Sequence, residues 1–386
     1  MKIDTRLTEV GRDPHNNHGV VNPPVYHATT ILYPTLDALN APRTGRGPYY
    51  GRYGTPTHFA LEDGISELEG GHGTVLSGSG AAAITGTMLA LLEPGDHILV
   101  EDNVYMPTRM CAQGILKRFG IKTSYFDPKI GAGIEELITP NTKLVYLESP
   151  GSLTFEVADL PAIAKAAKAK GLTVVADNTW GTGLLYPVLD LGADISIQAI
   201  TKYVGGHSDV MMGAVTCNQA TFDKVSTGFK QLGSSVGPDD VFLALRGLRT
   251  LRARLNHHER NAMIMANWLN SRPEVGKVMY PALKGDPSHA LWQRDFKGAC
   301  GLFGFTLKCP SQQALAALLD NLQLYGMGYS WGGYESLLIP CDPRPIRTAS
   351  PYTDQAQVMR IHVGLEDTDD LIADLEAGFK RMTETG

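Results

Sequence analysis

Short apolar runs alternate with stretches of helical periodicity between residues 73 and 213. The runs are rich in β-branched side chains, which is typical of buried strands. They are His97–Glu101, Thr123–Phe126, Leu144–Glu148, Thr173–Asp177, Ile195–Ala199 and Met211–Thr216. Ala- and Leu-rich segments between them predict helices, notably Gly80–Leu92 and Leu160–Lys170, the latter capped by Asp159. Strands that are apolar throughout and separated by helices predict a mainly parallel sheet covered on both faces.

A different pattern follows the cluster of turn residues at Gly233–Asp240. It begins with a long helical stretch in the Val241–Leu269 region and ends with an amphipathic helix. The strands predicted between these helices are Val275–Tyr280, Leu302–Leu307 and Met359–Val363. The first 45 or so residues are rich in Pro, Asn and His and show little periodicity, so they predict an arm laid over another surface. We therefore expect an arm at 1–45, a large α/β domain at 46–236 and a smaller α+β domain at 237–386.

Composition excludes several classes of protein. With 43% hydrophobic and 19% charged residues, the chain is neither disordered nor collagen-like. A net charge of −6 gives no basic field for nucleic acid or an anionic membrane. The locally basic Arg246–Arg260 stretch has leucines at three- and four-residue spacing, so its arginines are predicted to face solvent or another subunit from one long helix.

Cysteine usage and the N-terminus bear on the compartment. The five cysteines are Cys111, Cys217, Cys300, Cys309 and Cys341, with no C-x-x-C pair and no zinc spacing. This pattern predicts a reduced, cytosolic protein without a metal site. The first residues, MKIDTRLTEVGRD, are charged from the second position and lack the apolar core of a secretory signal.

Three segments could carry chemistry. Ser77–Leu92 (SGSGAAAITGTMLALL) places glycines before a helix, which suits an anion but is also a common turn. Asp177 ends a buried strand, where a carboxylate either caps the next helix or meets a ligand. Lys202 follows another apolar strand and is either solvated or, in a cleft, an amine nucleophile. Together they supply the phosphate anchor, ring-nitrogen partner and Schiff-base amine that pyridoxal phosphate needs.

Motifs spread along the chain carry a specific resemblance. The sequence resembles the Cys/Met-metabolism branch of fold-type I pyridoxal-phosphate enzymes from about Tyr26 to Phe379. The matching segments are YYGRYGTPT (49–57), LEGGHG (68–73), LESPGS (147–152), DNTW (177–180), TKYVGGHSD (201–209) and RGLRTL (246–251). Within that branch, YSWGGYES (329–336) and IHVGLEDTDDLIADL (361–375) look most like the bacterial cystathionine β-lyases. The resemblance implies an aspartate aminotransferase-like fold with a seven-stranded sheet in the large domain.

The resemblance also implies cofactor-binding roles. Lys202 forms the Schiff base, Asp177 pairs with the ring nitrogen, and Tyr105 stacks on the ring. The implied phosphate-binding residues are Gly80, Ala81 and Thr201 of one subunit and Tyr50 and Arg52 of the neighbouring subunit. The sequence departs from the wider branch in two places. Ala81 stands where methionine is common, and Ala199 stands where a serine often helps to bind phosphate.

On the substrate side, the resemblance assigns Arg360 to the α-carboxylate, and a guanidinium fork suits that planar anion. The other implied substrate-binding residues are Ser330, Trp331, Tyr329 and Tyr49. The alternative interpretation of Trp331 and Tyr334 is that they are core or interface residues with no role in substrate binding. Arg360 lies in an apolar run, where an unpaired guanidinium is costly, so an anionic partner is expected. His207 is interpreted as structural.

The implied activity is cleavage of L-cystathionine to L-homocysteine, pyruvate and ammonia in methionine biosynthesis, with Lys202 and Tyr105 as catalytic residues. One alternative is γ-elimination or γ-replacement on the same scaffold. Met106 argues against a methionine γ-lyase, which characteristically has cysteine there. A remote alternative is a non-catalytic regulator. Because the YGR motif is expected to act across a subunit boundary, the implied assembly is a tetramer of two site-sharing dimers.

Overall fold

The computed structural model describes residues 1–42, 45–308 and 311–385. Its larger sheet has seven strands: β1 (Gly73–Ser77), β2 (His97–Glu101), β3 (Lys122–Phe126), β4 (Thr142–Glu148), β5 (Thr173–Asp177), β6 (Ile195–Ala199) and β7 (Gly213–Cys217). The strand order is β1-β7-β6-β5-β4-β2-β3, and only β7 runs antiparallel to its neighbours. The predicted parallel sheet is confirmed. The carboxyl ends of β4, β5 and β6 therefore meet at one edge, where ligands bind in such sheets.

Helices cover both faces of this sheet. They are α3 (Pro56–Glu69), α4 (Gly80–Leu91), α5 (Met106–Cys111), α6 (Leu160–Ala169), α7 (Thr182–Leu185) and α8 (Gln219–Gln231). Asp159 caps α6 as predicted, since its carboxylate accepts the N–H of Ala162 at 3.1 Å. The α4 helix begins through Ser79, whose hydroxyl accepts the N–H of Ala82 at 3.1 Å. This cap fixes where α4 begins and so holds its first turn at the sheet edge.

The C-terminal part contains a second, antiparallel sheet. Its strands are β8 (Val275–Met279), β9 (Leu302–Leu307), β10 (Leu337–Cys341) and β11 (Gln357–His362), in the order β10-β11-β9-β8. Its helices are α9 (Pro238–Asn270), α10 (His289–Asp295), α11 (Gln312–Leu319) and α12 (Thr368–Thr385). On α12, Leu371, Leu375 and Phe379 are buried as the amphipathic pattern predicts. The centre of the sheet is β11, which reaches the cleft between the two sheets.

Two strands have no counterpart among the strands predicted from sequence. The segment GTVLS of β1 was not predicted as a strand, because Gly, Thr and Ser weaken its apolar signal. It lies at the sheet edge, where it pairs only with β7. The segment LLIPC of β10 contains Pro340, which is tolerated because β10 is also an edge strand.

The N-terminal segment contacts its own chain. Helix α1 (Ile3–Glu9) packs against α3 and α9, with Leu7 buried. Arg249 of α9 donates to the carbonyls of Leu7 and Val10, each at 2.6 Å. Helix α2 (Leu36–Asn40), in contrast, has no buried residue. The boundaries of the arm and the two domains stay predictions, but residues 3–10 belong to the body of the protomer.

Arg254 contradicts the expectation for the arginines of the basic stretch. It is only 7% exposed, on the same side of α9 as the buried leucines. Its guanidinium donates to the carbonyl oxygens of Tyr203 at 2.6 Å, Gly247 at 2.7 Å and Val204 at 3.3 Å. These acceptors replace solvent around the buried cation. The arginine thereby fixes the backbone immediately after Lys202.

Four cysteines, Cys111, Cys217, Cys300 and Cys341, are free thiols, and Cys309 lies outside the described residues. Within the part of the chain that the structure describes, no helix is both long enough and apolar enough to cross a bilayer. His207 bonds only locally, its Nδ1 lying 2.7 Å from the carbonyl oxygen of Gly205.

Candidate active site

Asp177 is the last residue of β5 and is 7% exposed. One carboxylate oxygen accepts the hydroxyl of Thr179 at 2.6 Å and its N–H at 3.1 Å. The other accepts the phenol of Tyr146 at 3.4 Å. The Thr179 hydroxyl also accepts the N–H of Ala199, so the carboxylate is tied to β4, β5 and β6. Burial nevertheless raises the pKa of Asp177, and a cation placed beside it would lower that pKa again.

Lys202 lies in the turn that follows β6. Its amine donates to the Ser330 hydroxyl at 2.6 Å and lies 5.2 Å from the ring centre of Trp331. Burial and the charge of Arg360 lower the pKa of Lys202 to about 8, against the opposing effect of Asp177. With this pKa, about a tenth of the amine is uncharged at pH 7, compared with far less for a free lysine, and the uncharged amine is the form that attacks a carbonyl.

Tyr105 lies beside these two residues, immediately before α5. Its backbone N–H donates to the carboxylate of Glu148 at 2.6 Å, while its ring is 44% exposed. Burial and the charges of Glu148 and Asp177 raise the pKa of the Tyr105 phenol, and Arg360 opposes them. Charged groups from the edge of the larger sheet and from the C-terminal sheet therefore shift the pKa of the same phenol in opposite directions.

The first turn of α4 lies against the end of β6. A Cβ on Gly80 would come within 2.8 Å of the Ala199 Cβ, so only glycine permits this close packing. Ala81 is exposed on the same turn, where helix N–H groups suit an anion. The hydroxyl of Thr201 accepts the N–H of Met212 at 3.0 Å. Gly80, Ala81 and Thr201 thus flank the same end of β6.

Residues 328–336, which we call the capping loop, lie over Lys202. Arg360 of β11 donates to the carbonyl of Ser330 at 3.0 Å and lies 3.5 Å from that of Gly328. Within residues 1–42, 45–308 and 311–385, no carboxylate pairs with this guanidinium. Burial lowers the pKa of Arg360, as expected for a cation that lacks an anion. The described residues supply no anionic partner, so the pairing of Arg360 with a substrate carboxylate stays a prediction.

Two aromatic residues of the capping loop differ in exposure. Trp331 is partly buried, and its ring centre lies 5.5 Å from that of Tyr203. Tyr329 is 91% exposed and projects away from the protein surface. Trp331 thus forms part of the wall beside Lys202. Tyr329 can only act at the mouth of the cleft.

The YGR segment does not join this cluster within one chain. The guanidinium of Arg52 donates to the carbonyl of Lys230 at 2.8 Å and lies over the ring of Tyr53. Tyr50 is 46% exposed and packs edge-on against Tyr53, and the Tyr49 hydroxyl donates to the carbonyl of Gly45 at 3.3 Å. Their predicted contacts with cofactor and substrate therefore stay predictions that depend on a second subunit.

Sequence reasoning missed four residues of the site: Glu148, Tyr146, Thr179 and His362. Glu148 pairs in register with Asp177, and both end apolar strands. The rule that singled out Asp177 would also have found Glu148. Burial and the charge of Asp177 raise the pKa of Glu148 well above its usual range. Tyr146 and His362 resemble ordinary core residues in an apolar run, so only coordinates reveal their contacts.

Comparison with known proteins now gives the family. Residues 4–380 match the model of the family described as Cys/Met metabolism PLP-dependent enzyme, where PLP is pyridoxal 5′-phosphate. The chain belongs to this family. It is 44% identical over 390 residues to the cystathionine β-lyase of Salmonella typhimurium, covering 99% of each chain. It is 43% identical over 390 residues to the cystathionine β-lyase MetC of Escherichia coli, again covering 99% of each.

A solved structure gives the same fold. The crystal structure of cystathionine γ-lyase from Lactobacillus plantarum complexed with L-serine superposes with a TM-score of 0.89 and 32% identity. The match covers 99% of this chain and 100% of the other. The fold is therefore that of the fold-type I PLP enzymes, as the motifs implied.

The cofactor of this family is PLP, and the described residues fit it. A phosphate suits the start of α4, because the first turn of this helix is exposed at Ala81 and supplies N–H donors. A protonated ring nitrogen suits Asp177, whose raised pKa marks a carboxylate in need of a cation. An aldehyde suits the Lys202 amine, whose lowered pKa favours the nucleophilic form. Each group of PLP has a chemically matched partner at one edge of the sheet.

Proposed function

We propose that the chain is a PLP-dependent carbon–sulfur lyase that cleaves L-cystathionine to L-homocysteine, pyruvate and ammonia. The observation that carries this proposal is the Lys202 amine, held by Ser330 between the Asp177 carboxylate and the unpaired Arg360 guanidinium. That arrangement suits removal of a proton from the α-carbon of an amino acid. The choice of cystathionine and of β-elimination is supported by full-length relatives of that activity at 43% and 44% identity.

The cofactor is held, in this proposal, by residues from two subunits. Lys202 supplies the Schiff-base amine, and Asp177 keeps the ring nitrogen protonated. The phosphate is bound at the start of α4 by Gly80 and Ala81, together with Thr201. The residues proposed to reach the phosphate from the neighbouring subunit are Tyr50 and Arg52. When bound, PLP supplies an aldehyde that links to amines and a ring that accepts the electron pair left on the α-carbon.

Lys202 moves the protons of the reaction. Its uncharged amine takes the proton from the α-carbon, because a pKa of about 8 lets it accept and release protons near neutral pH. The same amine, now protonated, gives that proton to the sulfur that leaves with the homocysteine portion. The Ser330 hydroxyl accepts a hydrogen bond from the amine and so limits the directions in which it can point.

Arg360 binds and orients the substrate. Its guanidinium is partly buried, lies near enough to Lys202 to lower the pKa of that amine, and has no carboxylate partner among the described residues, so a substrate α-carboxylate completes the charge pair. Trp331 closes one side of the cleft, and Tyr329 and Tyr49 are proposed to line its outer part. Tyr105 covers the cofactor ring and assists the transfer of the substrate's ammonium proton. A phenol accepts that proton only as phenolate, and its raised pKa makes the phenolate a stronger but less populated base.

Product analysis with cystathionine and methionine, assayed side by side, tests the proposed activity. Equal amounts of pyruvate and homocysteine from cystathionine, with negligible turnover of methionine, are the expected result. 2-Oxobutyrate from either compound would instead establish γ-elimination, the activity of the structural neighbour from Lactobacillus plantarum. If the chain binds its cofactor but turns over neither compound, the remaining hypothesis is that it is a non-catalytic regulator.

We also propose a cytosolic homotetramer built from two site-sharing dimers. The position of Arg52, which contacts Lys230 rather than Lys202 in its own chain, supports sharing of the site. The exposed side chains of Met106, Met110 and Met211 support it as well, since they are large apolar groups that a second subunit would bury. The free thiols support a reducing compartment.

Mixing two inactive variants tests the shared site. Lys202→Ala removes the amine, and Arg52→Ala removes the contribution from the neighbouring chain. A hybrid dimer has one site with both defects and one site with neither. Activity should therefore return after the two chains are unfolded and refolded together, towards about a quarter of that of the wild type. No recovery, with hybrids demonstrated by sedimentation and mass spectrometry, would place Arg52 outside the shared site.

A further inference from the structure

The capping loop has an unusual backbone at the point where it meets Lys202. Ser330 has φ of 84°, in the left-handed region that disfavours side chains other than glycine. Gly332 has φ of 89°, and a Cβ there would lie 2.9 Å from the carbonyl carbon of Lys202 and from the nitrogen of Tyr203. The loop therefore presses directly on the backbone of Lys202. Such a conformation persists only where neighbouring groups hold it.

His362 is one of the groups that hold the loop. It lies at the end of β11, is 1% exposed, and places Nε2 3.1 Å from the nitrogen of Gly332 and 3.1 Å from the carbonyl oxygen of Gly333. The Gly332 N–H points at Nε2 and the carbonyl oxygen of Gly333 faces the same nitrogen, so Nε2 accepts from the first or donates to the second according to the tautomer. Burial lowers the pKa of His362 to about 4, and the charges of Arg360 and Lys202 act in the same direction.

Arg360 and His362 both bind the capping loop from one face of β11. They are two residues apart on a strand, so their side chains project to the same side. Arg360 binds the carbonyl of Ser330, and His362 binds the N–H of Gly332. The two contacts flank Trp331. They fix the peptide groups on both sides of the turn that presents the Ser330 hydroxyl.

The imidazole of His362 is itself held in place. Its ring centre lies 5.2 Å from that of His258 and 5.9 Å from that of Tyr203. A Cβ on Gly301 would lie 3.2 Å from the Cε1 of His362 and 3.2 Å from the Nδ1 of His258. His258 is anchored through Nδ1, which donates to the carbonyl of Val363 at 2.9 Å. The ring of His362 therefore has no room to turn away from the loop.

We propose that His362 is a positioning residue that, through Gly332, holds Ser330 in the backbone conformation that places its hydroxyl on the Lys202 amine. This inference rests on the proposed function, because it assumes that Lys202 is the reactive amine. His362 acts on the reaction only through the capping loop and touches neither substrate nor cofactor.

Two substitutions of similar chemistry and different reach test the proposal. His362→Gln keeps an acceptor near the position of Nε2, whereas His362→Asn is too short to reach Gly332. In the holoenzyme, H362N should lower kcat about ten- to a hundred-fold with KM nearly unchanged, since a displacement of about 1 Å costs rate of that order. H362Q should retain most of kcat. Equal kcat values for the two variants would overturn the proposal.

His97→Gln is the matched control. His97 is buried, bonds the hydroxyls of Thr142 and Ser124, and lies at the amino end of β2, at the opposite end of the sheet from Lys202. H97Q should lower the melting temperature about as much as H362N does, and kcat should stay within about threefold of the wild type. A fall in kcat that follows melting temperature across all three variants would show a merely structural role for His362.

A double-mutant cycle with Ser330→Ala identifies the route of the effect. Because His362 acts through Ser330, H362N should lower kcat by less than about twofold in the S330A background. Additive losses would overturn the proposal.

Amine-labelling of Lys202 across pH, in the cofactor-free full-length chain, gives a readout that does not depend on turnover. H362N should shift the labelling midpoint of Lys202 and H362Q should not; identical midpoints would count against the proposal. If the wild-type chain forms no pyruvate, the proposed lyase activity is wrong. The labelling midpoints of H362N and H362Q can still be compared, because labelling does not require turnover.

Discussion

The two halves of the site are built in opposite ways. At the sheet edge, Asp177 already has three hydrogen-bond donors from this chain, and Tyr105 is tied to Glu148. On the opposite side, Arg360 binds only carbonyl oxygens, and Ser330 has a strained backbone. The carboxylate at the sheet edge is held by donors of this chain, whereas the guanidinium of the C-terminal half has no carboxylate partner among the described residues.

This contrast indicates which half of the site suits a permanently bound cofactor and which suits a transiently bound substrate. A carboxylate braced by neighbouring strands suits a cofactor that stays through many turnovers. A guanidinium that holds its loop only through carbonyl oxygens suits a substrate carboxylate that arrives and leaves. Substitutions in the first half should therefore weaken cofactor binding and kcat, and removal of the Arg360 guanidinium in the second half should mainly raise KM.

The largest effect is expected for Asp177→Asn. The carboxamide cannot carry the negative charge that keeps a ring nitrogen protonated, so kcat should fall about 10³- to 10⁵-fold. Cofactor affinity, measured by fluorescence titration, should fall as well. Thr179→Val, which removes one donor to Asp177, is the control and should act in the same direction but more weakly. A D177N enzyme with kcat close to that of the wild type would break the comparison.

A smaller effect, of a different kind, is expected for Arg360→Leu. Removing the guanidinium should lower kcat/KM for cystathionine about 10²- to 10³-fold, mostly through KM, because a charge-assisted pair is lost. Cofactor affinity should stay close to that of the wild type. Arg360→Lys should recover only part of the loss, since an ammonium cannot make the bidentate contact. Loss of cofactor with R360L would contradict the division into two halves.

The pKa of Lys202 reports on both halves together. In the cofactor-free chain its amine should titrate near pH 8, because burial and Arg360 lower the pKa and Asp177 raises it. R360L should therefore raise that pKa, and D177N should lower it further. Labelling of Lys202 by an amine reagent, followed across pH by mass spectrometry, measures both shifts. Shifts of the same sign in the two variants would contradict the arrangement of charges.

Stability should follow the same titration. An unfolded lysine titrates near pH 10.4, so between pH 8 and that value the unfolded chain holds a proton that the folded chain has released. The free energy of unfolding of the cofactor-free chain should rise with pH over this window, relative to Lys202→Met. Urea unfolding of both chains at pH 7.5 and pH 10 gives the comparison. An equal pH dependence in the two chains would place the amine in solvent.

The smallest effect is expected at the phosphate end of the sheet edge, for Ala199→Ser. Ala199 packs against Gly80, so a hydroxyl there would lie beside the start of α4. One added hydrogen bond is worth about 1 kcal/mol, which predicts a few-fold gain in cofactor affinity with kcat unchanged. Ala199→Val, which adds bulk without a donor, should weaken binding. Equal affinities for A199S and the wild type would mean that the phosphate lies elsewhere.

Sequence reasoning was most successful where polarity changes abruptly along the chain. Asp177 and Lys202 follow apolar strands, so their placement at one edge of a parallel sheet follows from topology alone. The left-handed backbone of Ser330 and the contact of His362 with Gly332 left no such signal, because both depend on how the capping loop packs on Lys202. Arg254 was misjudged because two of its three carbonyl acceptors, those of Tyr203 and Val204, belong to the turn after β6, far from α9 along the chain.

Borohydride reduction of the holoenzyme followed by peptide mapping tests the assignment of the reactive amine most directly. Reduction makes the bond between PLP and its lysine permanent, so the modified peptide identifies the residue. The expected result is one pyridoxyl group per chain, on Lys202, and none on the K202A variant. A label on another lysine, or no label in a chain that retains its cofactor, would contradict the assignment of Lys202 and with it the proposed mechanism.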